Sequence, residues 1–309
     1  MRKWMMAVVV LSVLLPDARA YTHEPMGSIG VKRATRAKQL SSLCMDGDGN
    51  IVTADEAGKC LRVIAPDDTL KVRWKLKFAP QAVSWRASDK TVLVAGSGKV
   101  AVLDAAGKVV CSASLPQTVS PEDNMKMSAA EREEFLESSK EASSVTSSGD
   151  DVFVTAQSYT GYTVYRLDRK LEHAKAIITG LQGCCGQMDV MASGDTLYVA
   201  ANCDFEVSLY DRDGKKKGAV TKPEGAKYFD GCCEPKNVSM GADGSLYVAE
   251  SAQGAVNRFS KDGKHLGEVG MVKDIGGCVR VTIAVSPDGS RVYMLDTEQN
   301  IVRVLGKKN

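Results

Sequence analysis

The sequence predicts an all-β fold, a six-bladed β-propeller, on three observations. A short apolar motif rich in valine and alanine occurs six times, at residues 50–55, 91–96, 151–156, 196–201, 245–250 and 291–296. Asp, Gly, Asn or Ser precede the copies, and these residues suit tight hairpins because they tolerate positive φ. Together with the strands around it, each copy defines a four-stranded unit of roughly 40–48 residues, the size of a propeller blade.

Within each unit, a loop, a third strand, a second turn and an outer strand follow the motif. In the fifth unit the second turn is KDGK at residues 261–264. The sixth unit ends at Asn309 after three strands, which leaves its outermost place unfilled. We expect residues 26–32, MGSIGVK, to fill that place and close the ring, because an unpaired strand edge would otherwise be exposed.

One interval between the motifs is longer than a blade requires. It contains residues 116–144, in which Ser128 and Glu131 form a capping box and residues 129–140 predict one amphipathic helix. We therefore expect one inserted helical loop between blades 2 and 3. It is either a solvated cover or a lid over the face on which it lies.

The first 20 residues predict a secretory signal peptide. Arg2 and Lys3 precede an apolar run at residues 5–15, and alanines flank Arg19 just before Tyr21. The run is too short to span a bilayer, and no later segment approaches the roughly 20 apolar residues of a membrane helix. We expect an exported protein, periplasmic or extracellular, without a membrane span and folded as a single propeller over residues 21–309.

The charge balance excludes one class of partner. The whole sequence carries a formal charge of +2, and residues 1–20 contain three basic residues and one acidic residue, so the mature chain is neutral. No positive excess is left to attract nucleic acid. We expect a monomer whose partner is a small molecule or a protein segment.

The repeats resemble NHL repeats rather than WD40 repeats. The units lack the Trp-Asp and Gly-His signatures, whereas SLYVAESAQGAVNRFSKDGKHLGEVG at 245–270 is similar to an NHL repeat. GCCGQMD at 183–189, GCCEPKN at 231–237 and the later Gly277-Cys278 resemble motifs of secreted bacterial NHL-type proteins with paired cysteines. The resemblance implies the propeller fold, and NHL propellers serve many functions.

Six of the nine cysteines are expected to meet on one face of the propeller. The loop that leads into the innermost strand of a blade and the loop between its second and third strands open on the same face, here called the top face. Five cysteines fall in the leading loops of blades 4, 5 and 6, and one falls in the other loop of blade 4. These residues are Cys184, Cys185, Cys203, Cys232, Cys233 and Cys278.

The other three cysteines are expected to be isolated thiols. Cys44 and Cys60 fall in the first and third strands of blade 1, and Cys111 falls in the outer strand of blade 2. Strands separated by another strand lie about 9–10 Å apart, beyond the reach of a disulfide. Free cysteine packs in a core as a small hydrophobe.

Three uses of the six top-face cysteines stay open. They could form disulfides between blades, with Cys203 bonded to the leading loop of blade 5 and Cys278 bonded to Cys232 or Cys233. They could hold zinc or an iron–sulfur cluster, which needs four ligands. They could also form a redox-active dithiol, although no basic neighbour in sequence obviously lowers a thiol pKa.

The channel mouth offers a second candidate site. Small polar residues begin the innermost strands of four blades, and these are Ser144, Asp189, Asn237 and Thr282. Gluconolactonase-like six-bladed propellers hold calcium with oxygen ligands of this kind, and the alternative is that the side chains bond neighbouring backbone amides. Gln187, Glu234, Lys236 and Arg280 are further polar residues of the top face, and Lys236 or Arg280 could bind an anion or be solvated.

Catalysis by histidine is not favoured. His23, His173 and His265 are the only histidines, and His173 and His265 fall in or beside outer strands, far from the channel. The leading hypothesis is a secreted, non-catalytic binding module whose ligand pocket lies at the channel mouth. The alternatives are a thiolate metal protein acting in redox or sensing, and a calcium-dependent lactonase or esterase, for which the mouth supplies few carboxylates.

Overall fold

The structure is a computed structural model that describes residues 21–116, 127–138, 141–158 and 161–308. Within these residues the chain forms 24 strands and one helix. The strands form six antiparallel sheets of four strands each. The predicted six-bladed β-propeller is therefore confirmed. The predicted signal peptide at residues 1–20 lies outside the described residues.

Strand β1 (His23–Ile29) belongs to the last blade, and blades 1 to 3 follow it along the chain. Blade 1 comprises β2 (Leu40–Met45), β3 (Ile51–Asp55), β4 (Cys60–Ile64) and β5 (Leu70–Lys75). Blade 2 comprises β6 (Ala82–Arg86), β7 (Thr91–Gly96), β8 (Lys99–Leu103) and β9 (Val109–Ser114). After the helix α1 (Ala129–Ser138), blade 3 comprises β10 (Ala142–Ser148), β11 (Asp151–Ser158), β12 (Gly161–Asp168) and β13 (Lys175–Leu181).

Blades 4 to 6 complete the ring. Blade 4 comprises β14 (Asp189–Ser193), β15 (Thr196–Ala201), β16 (Glu206–Asp211) and β17 (Lys216–Thr221). Blade 5 comprises β18 (Asn237–Met240), β19 (Leu246–Glu250), β20 (Ala255–Phe259) and β21 (His265–Met271). Blade 6 comprises β22 (Ile283–Val285), β23 (Arg291–Asp296) and β24 (Ile301–Lys307), with β1 as its outermost strand.

The two ends of the described chain pair in blade 6. Strand β1 is antiparallel to β24, from His23 opposite Lys307 to Ile29 opposite Val302. This strand begins three residues before the predicted segment and ends at Ile29. It ends there because Gly30 leaves the ladder at φ +89° and donates its N–H to Asp68 Oδ1 at 2.7 Å.

The turn residues that mark the repeats close their hairpins through an aspartate. In the first hairpin of blade 1, Asp46 Oδ1 accepts the N–H groups of Asp48 and Asn50 at 3.0 and 2.8 Å. Gly49 has φ +80°, a conformation that glycine adopts without strain. Short side chains that bond their own backbone stabilise such turns, and this explains why the repeats are punctuated by Asp and Gly.

The core is divided among the junctions between blades. Six clusters of buried residues each join the facing sheets of two neighbouring blades. At the junction of blades 1 and 2, for example, Val52 and Ala54 of β3 pack with Val92 and Val94 of β7. Alternate residues of these strands face opposite neighbours, and the apolar motif therefore recurs in every blade.

Helix α1 begins as predicted, with a capping box. Ser128 donates its N–H to Glu131 Oε2 at 2.7 Å, and Glu131 donates its N–H to Ser128 Oγ at 3.2 Å. The described helix runs from Ala129 to Ser138, and it is not amphipathic because its apolar residues do not recur on one face. Residues 117–126 and 139–140 of the predicted insert lie outside the described residues. No helix in the described chain has the length and apolar character that crossing a membrane requires.

Candidate functional site

Polar residues at the start of the innermost strands bind neighbouring blades. Each accepts a hydrogen bond from the backbone N–H of the next blade's innermost strand. The pairs are Ser42 Oγ with Val83 (3.2 Å), Ser144 Oγ with Val190 (3.0 Å), Asp189 Oδ2 with Val238 (2.9 Å) and Asn237 Oδ1 with Ile283 (2.8 Å). Three of the four predicted channel residues thus bond backbone amides, one of the two alternatives left open by the sequence.

The channel contains a cavity of about 330 Å³ lined by the innermost strands of all six blades and by Thr282. Asp189 is the one carboxylate among its lining residues. Burial raises the pKa of Asp189 to about 7, although the Val238 and Val190 amides act to lower it. Calcium takes six to eight oxygen ligands, often from several carboxylates, and this lining does not resemble such a site.

Five of the six predicted top-face cysteines have their sulfur atoms together. Cys184, Cys185 and Cys233 form one group, and Cys232, Cys233 and Cys278 form a second. Within each group all Sγ atoms lie within 4.8 Å of one another. Because Cys233 belongs to both, the leading loops of blades 4, 5 and 6 meet in one set of sulfurs, called the five-cysteine cluster below.

One disulfide lies in the five-cysteine cluster. Cys184 and Cys233 are bonded, with their Cα atoms 5.8 Å apart. Each sulfur of the bond also contacts a free thiol, since Cys185 Sγ lies 3.2 Å from Cys184 Sγ and Cys232 Sγ lies 3.1 Å from Cys233 Sγ. Free thiols therefore lie beside the disulfide. They could exchange with it, or they could bind the same metal ion as Cys184 and Cys233 once these are reduced.

The disulfides predicted for Cys203 and Cys278 are not those of the structure. Both cysteines are free and exposed, and Cys203 lies outside both sulfur groups. The reason lies in the neighbouring Asn202, whose Oδ1 accepts the N–H of Cys184 at 2.9 Å. This hydrogen bond positions Cys184, instead of Cys203, at the loop of blade 5.

The two cysteine pairs share an unusual backbone conformation. Cys185 has φ +58° and Cys233 has φ +63°, in the left-handed region that few residues other than glycine occupy. Each is the second cysteine of its pair. Such conformations persist where surrounding contacts impose them, and they are frequent at binding sites.

The loop of blade 4 is fixed to blade 6 by Gln187, which is 2% exposed, and to blade 3 by Met188. Gln187 Oε1 accepts the N–H of Val281 at 3.0 Å, and its Nε2 donates to the carbonyl of Val281 at 2.5 Å. Met188 donates its N–H to Ser143 Oγ at 2.7 Å. The motif GCCGQMD therefore spans from blade 3 to blade 6, and sequence analysis named Gln187 only as a polar top-face residue.

The loop of blade 5 is fixed to blade 6 through Glu234. Its Oε1 accepts the Ser251 hydroxyl at 3.0 Å and the N–H of Ala252 at 2.7 Å. The Gly277 carbonyl oxygen, beside Cys278, lies 2.7 Å from Ser251 Oγ and shares the single hydroxyl hydrogen with Glu234. Burial raises the pKa of Glu234 to about 7, against the lowering effects of these donors and of Lys236.

Lys236 is fully buried, at 0% exposure, and is not the solvated cation that the sequence allowed. Its Nζ has no hydrogen-bond partner among the described residues. Burial and the Cys278 thiol raise the pKa of Cys185, whereas the Lys236 ammonium lowers it. The Cys278 thiol raises the pKa of Cys232, and the Lys236 ammonium again acts to lower it.

The alignment of the two cysteine motifs contains the signal that could have identified Lys236. Asn237 and Asp189 occupy equivalent positions in the two motifs. Lys236, which directly precedes Asn237, is therefore equivalent to Met188, which directly precedes Asp189. Met188 is 0% exposed, and so is Val281 at the corresponding place in blade 6. A lysine at a position that two other blades fill with buried apolar residues predicts a buried charge. By contrast, Arg280 lies at the surface and donates to the carbonyl of Gly186 at 2.9 Å.

The remaining cysteines are isolated from the five-cysteine cluster. Cys44 and Cys60 are buried, Cys111 is partly buried, and all three are free. Burial raises the pKa of each of these thiols, so none is a ready thiolate. They fit the predicted role of small core residues.

The histidines lie away from the channel. His23 is in β1 and His265 is in β21, both outermost strands, while His173 lies between β12 and β13. His23 Nε2 is 2.9 Å from the carbonyl oxygen of Gly289, and burial lowers the pKa of His23. None of the three is among the residues that line the channel cavity.

Comparisons with known proteins show the fold alone. No family model and no curated protein sequence matches the chain. Among solved structures, it is similar to regucalcin, a calcium-binding protein from Agrobacterium tumefaciens (TM-score 0.60, 15% identity, covering 92% of this chain and 94% of that one). A gluconolactonase from Xanthomonas campestris is also similar, with TM-score 0.59 and 14% identity, covering 88% of this chain and 87% of that one.

A third similar structure is an inactive histidine-to-alanine variant of virginiamycin B lyase from Staphylococcus aureus with quinupristin. It has TM-score 0.58 and 12% identity, covering 88% of this chain and 82% of that one. All three neighbours support the six-bladed propeller. The resemblance to NHL repeats stays a prediction.

Proposed function

We propose that the protein is an exported propeller that binds one thiophilic metal ion through the five-cysteine cluster. One observation carries the proposal: two groups of three sulfurs, each within 4.8 Å, share Cys233. Thiolates are the preferred ligands of soft ions such as zinc and monovalent copper. The binding module expected from the sequence is thereby narrowed to a metal-binding one.

The sulfur spacing favours a single ion over an iron–sulfur cluster. Zinc binds thiolates at about 2.3 Å in a tetrahedron, which puts the sulfurs about 3.8 Å apart. The sulfur groups, with every pair within 4.8 Å, are close to that spacing. A four-iron cluster holds its thiolates at separate corners of a larger cube and is the less favoured alternative.

Ion binding requires the reduced form of the cluster. Metal ligands are thiolates, and the Cys184–Cys233 disulfide withholds two of the five sulfurs. Cys185, Cys232 and Cys278 are free in either state. We therefore expect the capacity for metal to rise when a dithiol reductant gives two electrons to the disulfide and releases two thiols.

The loops are held in place by bonds that do not involve sulfur, as a binding site requires. Gln187, Glu234 and Ser251 fix the leading loops of blades 4, 5 and 6 to one another. Buried partners of this kind typically orient metal ligands and tune affinity. If the cysteines were only staples, this second set of cross-links would be redundant.

The test is metal binding by reduced protein under anaerobic conditions. We expect one zinc ion per chain, measured by elemental analysis and by competition with a chromophoric chelator, and no zinc after oxidation with a small disulfide. Cys111→Ser is the matched control, because Cys111 is remote from the cluster, and it should bind as the parent does. Reduced protein that retains no ion above background would overturn the proposal.

A calcium-dependent lactonase or esterase is the second candidate. The similar fold of a gluconolactonase and of a calcium-binding regucalcin, with Asp189 in the channel, favours it. Its weakness is that Asp189 already accepts the Val238 amide and that no other carboxylate lines the channel. Lactone hydrolysis that calcium supports and a chelator abolishes would establish it, and we expect none.

A further inference from the structure

We infer that the metal–thiolate complex is anionic and that Lys236 is its buried counter-ion. The inference deepens the proposed function and rests on it. It adds a residue that is not a metal ligand, and it sets a lower limit on the number of thiolates that bind the ion. Three observations support it, namely the isolation of Lys236, its position beside the thiols and its place in the repeat.

Lys236 is a buried charge that forms no hydrogen bond or ion pair among the described residues, and the Glu234 carboxyl acts on it only electrostatically. The residue is 0% exposed, and its Nζ has no hydrogen-bond partner among the described residues. The nearest acid in sequence, Glu234, uses Oε1 for Ser251 and Ala252, and its Oε2 also lacks a partner. A buried ammonium is costly unless an anion compensates it, and an anion at this place is therefore implied.

The thiols are the groups at which that anion would form. The charge of Lys236 acts on Cys185, in the leading loop of blade 4, and on Cys232, in that of blade 5. These cysteines belong to different sulfur groups, which share Cys233. Lys236 also follows Cys233, the residue that both groups share, by three positions in the same loop, and its Nζ is buried.

The repeat contains no structural reason for a lysine at this position. Blade 4 has Met188 there and blade 6 has Val281, and both are 0% exposed. The backbone N–H of Lys236 bonds the carbonyl of Ala249 at 2.9 Å, a contact that any residue other than proline could make. A charge that replaces an apolar residue without local compensation is typical of functional sites.

Charge counting gives the ligand number. A divalent ion with two thiolates is neutral and has no need of a cation, whereas three thiolates leave one negative charge and four leave two. Lys236 neutralises one of these charges. When the ion is divalent, as zinc is, the inferred complex therefore contains at least three thiolates of the five-cysteine cluster.

The test compares variants of Lys236 in the reduced full chain with zinc as the probe. Lys236→Met should lower zinc affinity about tenfold or more, the usual effect of removing a supporting group around a metal. Lys236→Arg retains the charge and should bind more tightly than the Met variant. The exposed Lys261, in a turn of the same blade, provides the control, since Lys261→Met should bind as the parent does.

Two further measurements separate the counter-ion role from a structural one. Cobalt-loaded Lys236→Met should keep the thiolate-to-metal charge-transfer absorption of the parent, because the ligands are unchanged. The metal-free variant should not unfold at a lower temperature, because methionine is the natural residue at this position in blade 4. Lys236→Gln also removes the charge but keeps a polar side chain. It takes the place of Lys236→Met if that variant fails to fold.

Failure of the inference differs from failure of the proposed function. If the parent binds zinc tightly and both neutral variants bind it equally well, Lys236 is not the counter-ion. A zinc affinity that is restored in the double variant Glu234→Gln with Lys236→Met, relative to Lys236→Met alone, would assign Lys236 to Glu234 instead. If the parent binds no zinc, the metal site itself is wrong.

Discussion

Blades 1 and 5 both end their second strand with a buried acid, but the pKa of the acid is lowered in blade 1 and raised in blade 5. In blade 1, Asp55 ends β3 and accepts Nε and Nη2 of Arg62 at 3.1 and 2.9 Å. It also accepts backbone N–H groups of Lys38, Gln39 and Gly58. Although burial acts to raise it, the pKa of Asp55 is held below its ordinary value by Arg62 and these amides.

In blade 5 the corresponding acid, Glu250, has no cation. It accepts the N–H of Phe229 at 2.9 Å and Nδ2 of Asn257 at 2.6 Å, and Asn257 lies seven residues later, as Arg62 does in blade 1. Burial, and then the neighbouring Glu234, raise the pKa of Glu250 to about 7. Blade 5 has therefore exchanged the arginine of this corner for a neutral amide.

The buried cation of blade 5 lies elsewhere, in Lys236 beside the thiols. In blade 1 the buried Asp55 and Arg62 form an ion pair, and their function is structural. In blade 5 the buried Glu250 and the buried Lys236 each lack an ion pair among the described residues. This difference supports the proposal of a metal ion at the blade 5 loop, since blade 1 pairs its buried acid with a cation where no ligand is proposed.

The largest expected effect is the loss of metal on removal of cysteines from the five-cysteine cluster. Cys232→Ser combined with Cys278→Ser leaves only one of the two sulfur groups. We expect the zinc affinity of the reduced protein, measured by competition with a chromophoric chelator, to fall by about a hundredfold or more, because only three of the five sulfurs remain. The same serine substitutions at Cys44 and Cys111 should leave it unchanged, and a cluster variant that retained full zinc affinity would remove the distinction between the two sets of cysteines.

The second prediction contrasts the two buried cations. The side chains of Arg62 and Asp55 are 5% and 0% exposed. Arg62→Met leaves the buried Asp55 without its partner and should lower the free energy of unfolding by about 3–5 kcal/mol. Lys236→Met removes a charge that has no partner and should not destabilise the metal-free protein. Chemical denaturation of both variants measures the contrast, and equal destabilisation would contradict it.

The third prediction concerns the pH dependence of stability. The pKa of Glu250 rises from 4.5 to about 7 on folding, with Glu234 and Glu268 as its charged neighbours. Its contribution is therefore fully present below about pH 4.5 and is lost as the pH rises through about 7, which lowers stability by about 2–3 kcal/mol. Asp55 has the opposite sign, because its contribution is lost only as the pH falls through its lowered pKa.

Glu250→Gln should reduce the decline in stability between pH 5 and 7, measured by denaturation at a series of pH values. The part that remains belongs to Asp189 and Glu234, whose pKa values burial also raises to about 7. Asp55→Asn, in contrast, should leave that decline intact and weaken the protein throughout this range. An unchanged decline in the Glu250 variant would show that other groups cause it.

The smallest effect is expected where the two blades are alike. Ser42→Ala and Asn237→Ala each remove one acceptor of a hydrogen bond between blades and should each cost about 1–2 kcal/mol. Ala82 occupies the same place in blade 2, and a blade therefore folds without this bond. Zinc affinity should not change in either variant, and a selective loss in Asn237→Ala would extend the metal site into the channel.

The fold could be predicted from the sequence because it repeats. A motif such as SLYVAE, with turns such as that at Asp46, has the same meaning in every blade. The convergence of the cysteines followed from the blade alignment as well. Their bonding did not, because sequence carries no information on how Asn202 orients the loop of Cys184.

The charges of the site were less predictable than its sulfurs. Lys236 lies in a loop sequence, KN, that is compatible with solvent exposure, and only the three-dimensional packing buries it. Gln187 bonds Val281, a residue 94 positions later, and such a contact has no local signature. Asp189 was expected to face a ligand, but its position at a junction between blades gives it an amide instead.

The most direct test of the metal site is X-ray absorption at the zinc edge of the reduced, zinc-loaded protein. We predict a first shell of at least three sulfur atoms at about 2.3 Å, and fewer in the variant with Cys232→Ser and Cys278→Ser. A first shell of oxygen and nitrogen atoms, unchanged by those substitutions, would contradict a metal centre in the five-cysteine cluster.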